Sequence, residues 1–306
     1  AAFSTDIEGN KAERLVTNAD RALYVAKDSN RNCVKMFDHR LSANSETTDN
    51  IKELLRTAIA DKRLSLVYQP IWDVKTGTIL AAEALMRLTV ANGNPISPAI
   101  FIPIAERTGA IVELGDWAIR EACDQLIRSE ALAAIGVNVS VVQLSRPNFA
   151  EHVADILLEK GVSPSRLIVE ITEGSEIDEN AVVIQVIQEL SAFGIRVWLD
   201  DFGTGFAGLS CLSKIRFDSV KIDRLFVQAS DTRRGAKLLG DMMTLVANSG
   251  HNLIVEGVET SDQVDRLKQR GAQFLQGYYF NRPMSGEALN LLALKASKSA
   301  RNPLAA

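Results

Sequence analysis

Eight short runs of β-branched and apolar residues, separated by longer segments of helical periodicity, constrain this chain more than any other feature. The runs lie at 65–73, 78–86, 135–140, 167–172, 196–202, 219–223, 253–259 and 274–280. The periodicity predicts helices between most of them, at 98–108, 111–130, 147–160, 179–193, 233–249 and 261–270, and one more at 286–296. Ser97-Pro98 reads as an N-cap followed by proline at the first helical position, and Gly109, Gly161, Gly194, Gly250 and Gly271 stand where helices should stop. Eight strands with intervening helices over roughly 240 residues have the size and rhythm of a (β/α)8 barrel, an α/β fold. One connection departs from it. The first two strands are joined only by the four residues 74–77, VKTG, whereas a parallel crossover takes about a dozen or more. The expected fold is therefore a modified TIM-type (β/α)8 barrel with its first strand antiparallel.

The first forty residues differ in kind. Leu15, Val16, Ala19, Ala22, Leu23 and Ala26 recur at helical spacing within 11–27, and a second helical face follows in 49–61. The polar stretch 39–50, HRLSANSETTDN, reads as a linker. The expected division is a short N-terminal fragment at 1–38, a linker at 39–50 and the barrel at 51–306. Lys plus Arg number 34 against 38 Asp plus Glu, so the strong basic excess of a binder of long nucleic acids is absent. No polybasic segment suits an anionic membrane, and no apolar run reaches the roughly 18 residues of a span. No signal peptide opens the chain. Cys33, Cys123 and Cys211 are scattered, without a Cys-x-x-Cys pair, which fits a reducing, cytoplasmic setting. His39, His152 and His251 lack metal spacing, which argues against a His-built zinc site.

In such barrels the chemistry gathers at the carboxyl ends of the strands. Late in their strands here sit Glu83, Asn138, Glu170, Asp200 with Asp201, Lys221 with Asp223, Glu256 with Glu259, and Gln276. A single acid at a strand end is usually a cap or a solvated turn residue. Seven strands doing the same thing at one end make a constellation. Converging carboxylates would repel one another, and a cation removes that difficulty. The donors are all oxygens, which suits Mg²⁺ or Mn²⁺. Adjacent Asp200 and Asp201 could serve two neighbouring ions, and paired ions about 3.5–4 Å apart commonly activate water for phosphoester hydrolysis. Lys221, the only cation in the set, can stabilise charge on the phosphate. Gly203, Gly205 and Gly208 suggest a flexible loop just beyond the aspartates. Glu170 and Glu256 also stand where some barrel glycosidases keep their acid and nucleophile. An aromatic content of 6% offers few sugar platforms, however, and the other acids and the lysine would then have no role.

The motifs YQPI (68–71), EALMR (83–87), FIPIAERTG (101–109), NVSVVQL (138–144), EITE (170–173), DDFGTGFAGLS (200–210), KIDRLFV (221–227), EGVET (256–260) and QGYYFNRP (276–283) resemble those of EAL-domain cyclic di-GMP phosphodiesterases. Residues 1–38, ending NADRALYVAKDSNRNCVKMFD, resemble the C-terminal end of a GGDEF domain without its cyclase signature. The resemblance implies hydrolysis of cyclic di-GMP to linear 5′-pGpG with two divalent cations, Mg²⁺ or Mn²⁺, and inhibition by Ca²⁺. It implies Glu83, Asn138, Glu170 and Asp200 as ligands of one ion, with Asp200 bridging to a second that Asp201 also holds. Glu256 would be a further acid, binding metal directly or through water and accepting a proton. Lys221 matches the family's catalytic lysine, with Asp223 and Glu259 in support. Gln69, Leu85, Arg87 and Gln276 match ligand-contacting positions, and Glu173 matches the glutamate that anchors the 200–210 loop. A homodimer formed near that loop and upstream sensory or GGDEF domains in a longer parent are also implied. Gly174 replaces the commoner serine and Leu88 the usual tryptophan; neither is a presumed ligand. The alternative is a catalytically silent receptor for the same dinucleotide.

Overall fold

Side chains alternate between the two faces of each strand, and the residues on one face here differ in character from those on the other. The computed structural model describes residues 39–173, 177, 180–205 and 208–301; the expected fragment at 1–38 lies outside them. The strands are β1 (Leu64–Asp73), β2 (Thr78–Thr89), β3 (Pro95–Ile96), β4 (Ile135–Asn138), β5 (Leu167–Thr172), β6 (Arg196–Phe202), β7 (Ser219–Ile222), β8 (Asn252–Val255) and β9 (Phe274–Leu275). All except β3 form a closed ring in the order β1-β9-β8-β7-β6-β5-β4-β2, and β1 pairs with β2 to shut it. β1 runs antiparallel to both neighbours and the other ring pairings are parallel. The short hairpin at 74–77 thus reverses the first strand, as its length requires.

Outward residues such as Val137, Val169, Ile171, Leu199 and Val220 pack under the surrounding helices in the main core. Inward residues make two layers. The lower one is an apolar plug of Ile71, Ala81, Ala134, Ile168, Trp198 and Ile254. One pleat higher on the same face stand Glu83, Glu170 and Asp200, two residues beyond Ala81, Ile168 and Trp198 respectively. A third cluster joins the helix His39–Thr57 to Pro98–Thr108 through Ile51, Leu55, Phe101 and Ile104.

Several expectations need correction. The stretch 39–50, expected as a linker between helices, is itself helical and continuous with residues up to Thr57. It contains neither glycine nor proline, so nothing in it breaks the helix that Ile51 and Leu55 anchor. The runs 253–259 and 274–280 stop early, at Val255 and Leu275. Gly257 has φ +70°, and a side chain there would meet Arg224, so the strand turns away and its remaining residues form a rim loop. The short helices Val141–Leu144, Gly208–Lys214 and Arg224–Ala229 and the two-residue β3 had no clear sequence signal. Ser97 is extended before its helix but makes no capping hydrogen bond. All five stop glycines adopt positive φ. Among the described residues, no helix is long and apolar enough to cross a membrane.

Arg166 joins the chain entering β5 to the end of the long helix Ile111–Arg128. Its Nη2 donates to the carbonyls of Leu126 (3.0 Å), Ser129 (3.0 Å) and Leu132 (2.9 Å), satisfying acceptors that a helix end leaves open. Arg166→Met should lower unfolding stability by about 1.5–3 kcal/mol, the range for hydrogen bonds to a charged group. Urea titration followed by circular dichroism measures this, and an unchanged midpoint would contradict it.

Candidate active site

The upper layer of the lumen centres on one ammonium. Lys221 Nζ lies 3.1 Å from Glu83 Oε2, 2.6 Å from Glu170 Oε2, 3.0 Å from Asp200 Oδ1 and 2.6 Å from Glu256 Oε1, and its side chain is 0% exposed. These partners come from β2, β5, β6 and the residue after β8, while the lysine comes from β7. Asn138, at the end of β4, donates to Glu83 Oε1 at 3.1 Å, and Gln276, just past β9, donates to Glu83 Oε2 at 2.9 Å. The contacts with Glu83 and Glu170 are also hydrogen bonds donated by the ammonium. Glu170 Oε1 is buried with no hydrogen-bond partner.

Two local devices aim these groups. At the end of β6 the register with β7 slips between Leu199 and Phe202, a bulge with Asp201 at φ 54°. A regular strand would send successive side chains to opposite faces; the bulge breaks that alternation, and Asp201 joins Asp200 at the site. The second device is Gly136 on β4. A Cβ there would sit 1.7 Å from Glu170 Oε1, so the missing side chain is the space the carboxylate occupies.

The electrostatics follow from burial. Loss of water pushes the Glu170 carboxyl up to about 8, with Glu83 and Asp200 adding to the rise against the pull of Lys221. Burial, then Asp200 and Asp223, pushes Asp201 up to about 6. Asp200 is also raised, chiefly by burial. Burial acts the same way on Glu83, but Lys221 and the hydrogen bonds from Gln276 and Asn138 outweigh it and hold this carboxyl below its usual range. For Lys221 burial would lower the value; the surrounding carboxylates overcome it and keep the ammonium charged. Oxygens of Glu83, Glu170 and Asp200 lie within 4.8 Å of one another, and so do those of Asp200, Asp201 and Glu256. An all-oxygen donor set in which two buried carboxylate oxygens, Glu170 Oε1 and Glu256 Oε1, lack a hydrogen-bond partner fits hard divalent cations, and Asp200 belongs to both groups.

The EAL domain family matches residues 52–283. The chain belongs to the EAL domain family. It is 33% identical over 287 residues to the bifunctional diguanylate cyclase/cyclic di-GMP phosphodiesterase MucR of Pseudomonas aeruginosa, covering 92% of this chain and 42% of that protein. It is 31% identical over 288 residues to the cyclic di-GMP phosphodiesterase NbdA of the same organism, covering 92% of this chain and 37% of that one. The chain thus spans well under half the length of these relatives. A solved structure of the PaMucR phosphodiesterase in complex with c-di-GMP superposes with a TM-score of 0.73 at 33% identity, over 78% of this chain and 99% of that one.

The other expected residues of the EAL domain divide into two places. Gln69, Leu85, Gln276, Asp223 and Glu259 line a mouth of about 390 Å³ beside the acids. Leu85 and Arg87 continue the inward face of β2 beyond Glu83 and line an apolar cleft of about 290 Å³ that also reaches Asn138 and Glu170. Asp223 caps the helix Arg224–Ala229 through the Leu225 N–H (2.9 Å), and Glu259 leads into the helix Ser261–Gln269. Lys221 makes its ion contacts with the four carboxylates rather than with these two. The Gln69 amide donates to the Asn281 carbonyl at 3.2 Å. Glu173 accepts a hydrogen bond from the Gly205 N–H, linking β5 to the loop after the aspartates. Gly136 escaped sequence reading, because one glycine in a strand carries no sign of what fills its space.

Gly136→Ala should leave the fold intact by circular dichroism but weaken Mn²⁺ binding by about 10- to 100-fold, the usual effect of disturbing a ligand's support. Unchanged affinity in a calorimetric titration would refute the role given to this glycine. A carboxyl with a higher pKa folded than unfolded binds more protons in the folded state, so it subtracts stability as pH rises between the two values. For Glu170 that window runs from 4.5 to about 8, and for Asp201 from 3.8 to about 6; Glu83 opposes them. In EDTA the melting temperature should fall from pH 5 to pH 8, and excess Mn²⁺ should shrink the fall. A flat or rising profile in EDTA would contradict this balance.

Proposed function

We propose that this EAL domain hydrolyses cyclic di-GMP to linear 5′-pGpG, using two divalent cations, Mg²⁺ or Mn²⁺. The observation that carries the reading is a charge count. Five carboxylates, Glu83, Glu170, Asp200, Asp201 and Glu256, meet one ammonium, Lys221. Fully ionised, they leave four uncompensated negative charges, the amount two divalent cations neutralise. These five residues and the side-chain amide oxygen of Asn138 would hold the pair. When bound, such ions supply Lewis acidity that activates water and offsets charge on the phosphodiester.

The chain's own groups do the rest. Lys221 stays charged and stabilises the negative charge that builds on the phosphoryl oxygens. Glu256, at the outer edge with its side chain 17% exposed, accepts the proton of the attacking water. Arg87 offers a two-pronged donor to a phosphate of the dinucleotide. Leu85, Gln69 and Gln276 contact the nucleotide, and Asp223 and Glu259 shape the mouth beside Lys221. In a longer cytoplasmic parent, residues 1–38 would be the end of a GGDEF domain, and upstream domains would regulate the barrel. A second copy would pair at the exposed Leu209, Leu238 and Leu245 beside the 200–210 loop.

Chromatography of the nucleotides after incubation with Mg²⁺ or Mn²⁺ tests the reading. One pGpG should appear per cyclic di-GMP consumed, none in EDTA, and less with Ca²⁺. Lys221→Met and Asp200→Asn should each lower kcat by about 10²–10⁴-fold. Tight binding with no product in any metal would identify a receptor instead, and wild-type turnover by Lys221→Met would remove the lysine from the mechanism.

A further inference from the structure

The ring is thin around its last strand, the two-residue β9, which shares two residue pairs with β8 on one side. β1 and β9 share only two residue pairs, Trp72 with Leu275 and Asp73 with Phe274. Above them β9 has ended, and the free edge of β1 rises toward the acids without a strand beside it. Tyr68 turns its backbone to that edge and exchanges hydrogen bonds with Met284, 2.8 Å and 2.9 Å. By ladder alternation Pro70 faces the same way, and a proline leaves no N–H unpaired there. Between these points one residue grips both faces of β1. The Asn281 carbonyl accepts from inward-facing Gln69 at 3.2 Å, and its side-chain Oδ1 accepts from the indole Nε1–H of Trp72 at 3.1 Å. Phe280 stacks on Trp72, with ring centroids 6.2 Å apart.

The segment held in this way carries functional side chains. Gln276 donates to Glu83 Oε2, and Gln276, Gly277 and Tyr278 form one wall of the mouth. We infer that Asn281 is a positioning residue, which staples the open β1–β9 seam through Trp72 and so holds the wall of the dinucleotide site in place. It touches none of the acids and takes no part in bond making. Its loss should therefore weaken binding of substrate more than it slows the reaction. The inference rests on the proposed phosphodiesterase reading only for its kinetic part.

The test uses the full chain and two readouts. In wild-type protein labelled at the indole nitrogens, the Trp72 Nε1–H resonance, assigned with Trp72→Phe, should exchange slowly with water; in Asn281→Ala it should exchange at least about tenfold faster. With cyclic di-GMP and Mn²⁺, Asn281→Ala should raise KM by about three- to tenfold, the worth of one neutral hydrogen bond, with kcat within about twofold. Trp72→Phe keeps the ring but not the donor and should do the same. The double variant should be no worse than the poorer single one, and Asn281→Asp, which keeps the acceptor, should restore most of the loss. Additive effects, or a lowered melting temperature with KM unchanged, would overturn the assignment. If the wild type turns over no dinucleotide, the functional reading fails, and the exchange measurement still decides whether the staple exists.

Discussion

One ammonium buried against four carboxylates sets the terms for everything around it. Taking such charges out of water costs several kcal/mol each, and only close mutual contact repays that. The contacts here are 2.6–3.1 Å, and removing one partner would strand the others in a medium that solvates them poorly. Short segments adjacent in sequence could not supply the arrangement, because the five groups arise 138 positions apart for Lys221 and Glu83 alone. A closed, mostly parallel ring can. It points the ends of several strands into one space and fixes their spacing by ladder hydrogen bonds in which Glu83, Glu170, Asp200 and Lys221 themselves take part through their backbones.

The apolar plug below the acids contributes to their chemistry as well as to the core. Trp198, Ile168 and Ile254 fill the lumen one pleat down, so water reaches the carboxylates only from the mouth. The low dielectric raises Glu170 and Asp201 and also deepens the attraction of Lys221 for each of its partners. A site so prepared is short of positive charge and ordered before any cation arrives. The cost of bringing the acids together has been met by folding rather than by binding.

Most of the architecture was legible because it follows from period and length. The β-branched, apolar runs located the β5 and β6 strands residue for residue, and the four-residue hairpin dictated the reversal of β1. The acids were legible too, as polar interruptions at the ends of apolar runs. The failures share a cause. The helix over 39–57 and the early ends of β8 and β9 depend on tertiary contacts: Ile51 and Leu55 packing against Phe101, and Gly257 pressed against Arg224. Gly136 is more extreme still. Its role is the volume it leaves to Glu170, and nothing within its own segment encodes that neighbour. Asn281 was likewise invisible, since its partners Gln69 and Trp72 lie 212 and 209 positions away.

The reversed strand has a consequence for function as well as topology. Were β1 parallel, a crossover helix would have to follow it. Reversal lets the chain turn back in four residues and places Gln69 directly opposite Glu83. Because β9 is only two residues long, β1 and β9 share two residue pairs, and the upper seam is closed by side chains and by the segment after β9. Ladder hydrogen bonds tolerate almost any side chain, whereas a seam closed by Asn281, Gln69 and Trp72 depends on those residue types. The mouth is therefore most sensitive to sequence on this side. That same side carries Gln276 and Tyr278 in the wall of the mouth, so variation there can alter what the barrel admits while the cluster of acids and lysine at its centre stays unchanged.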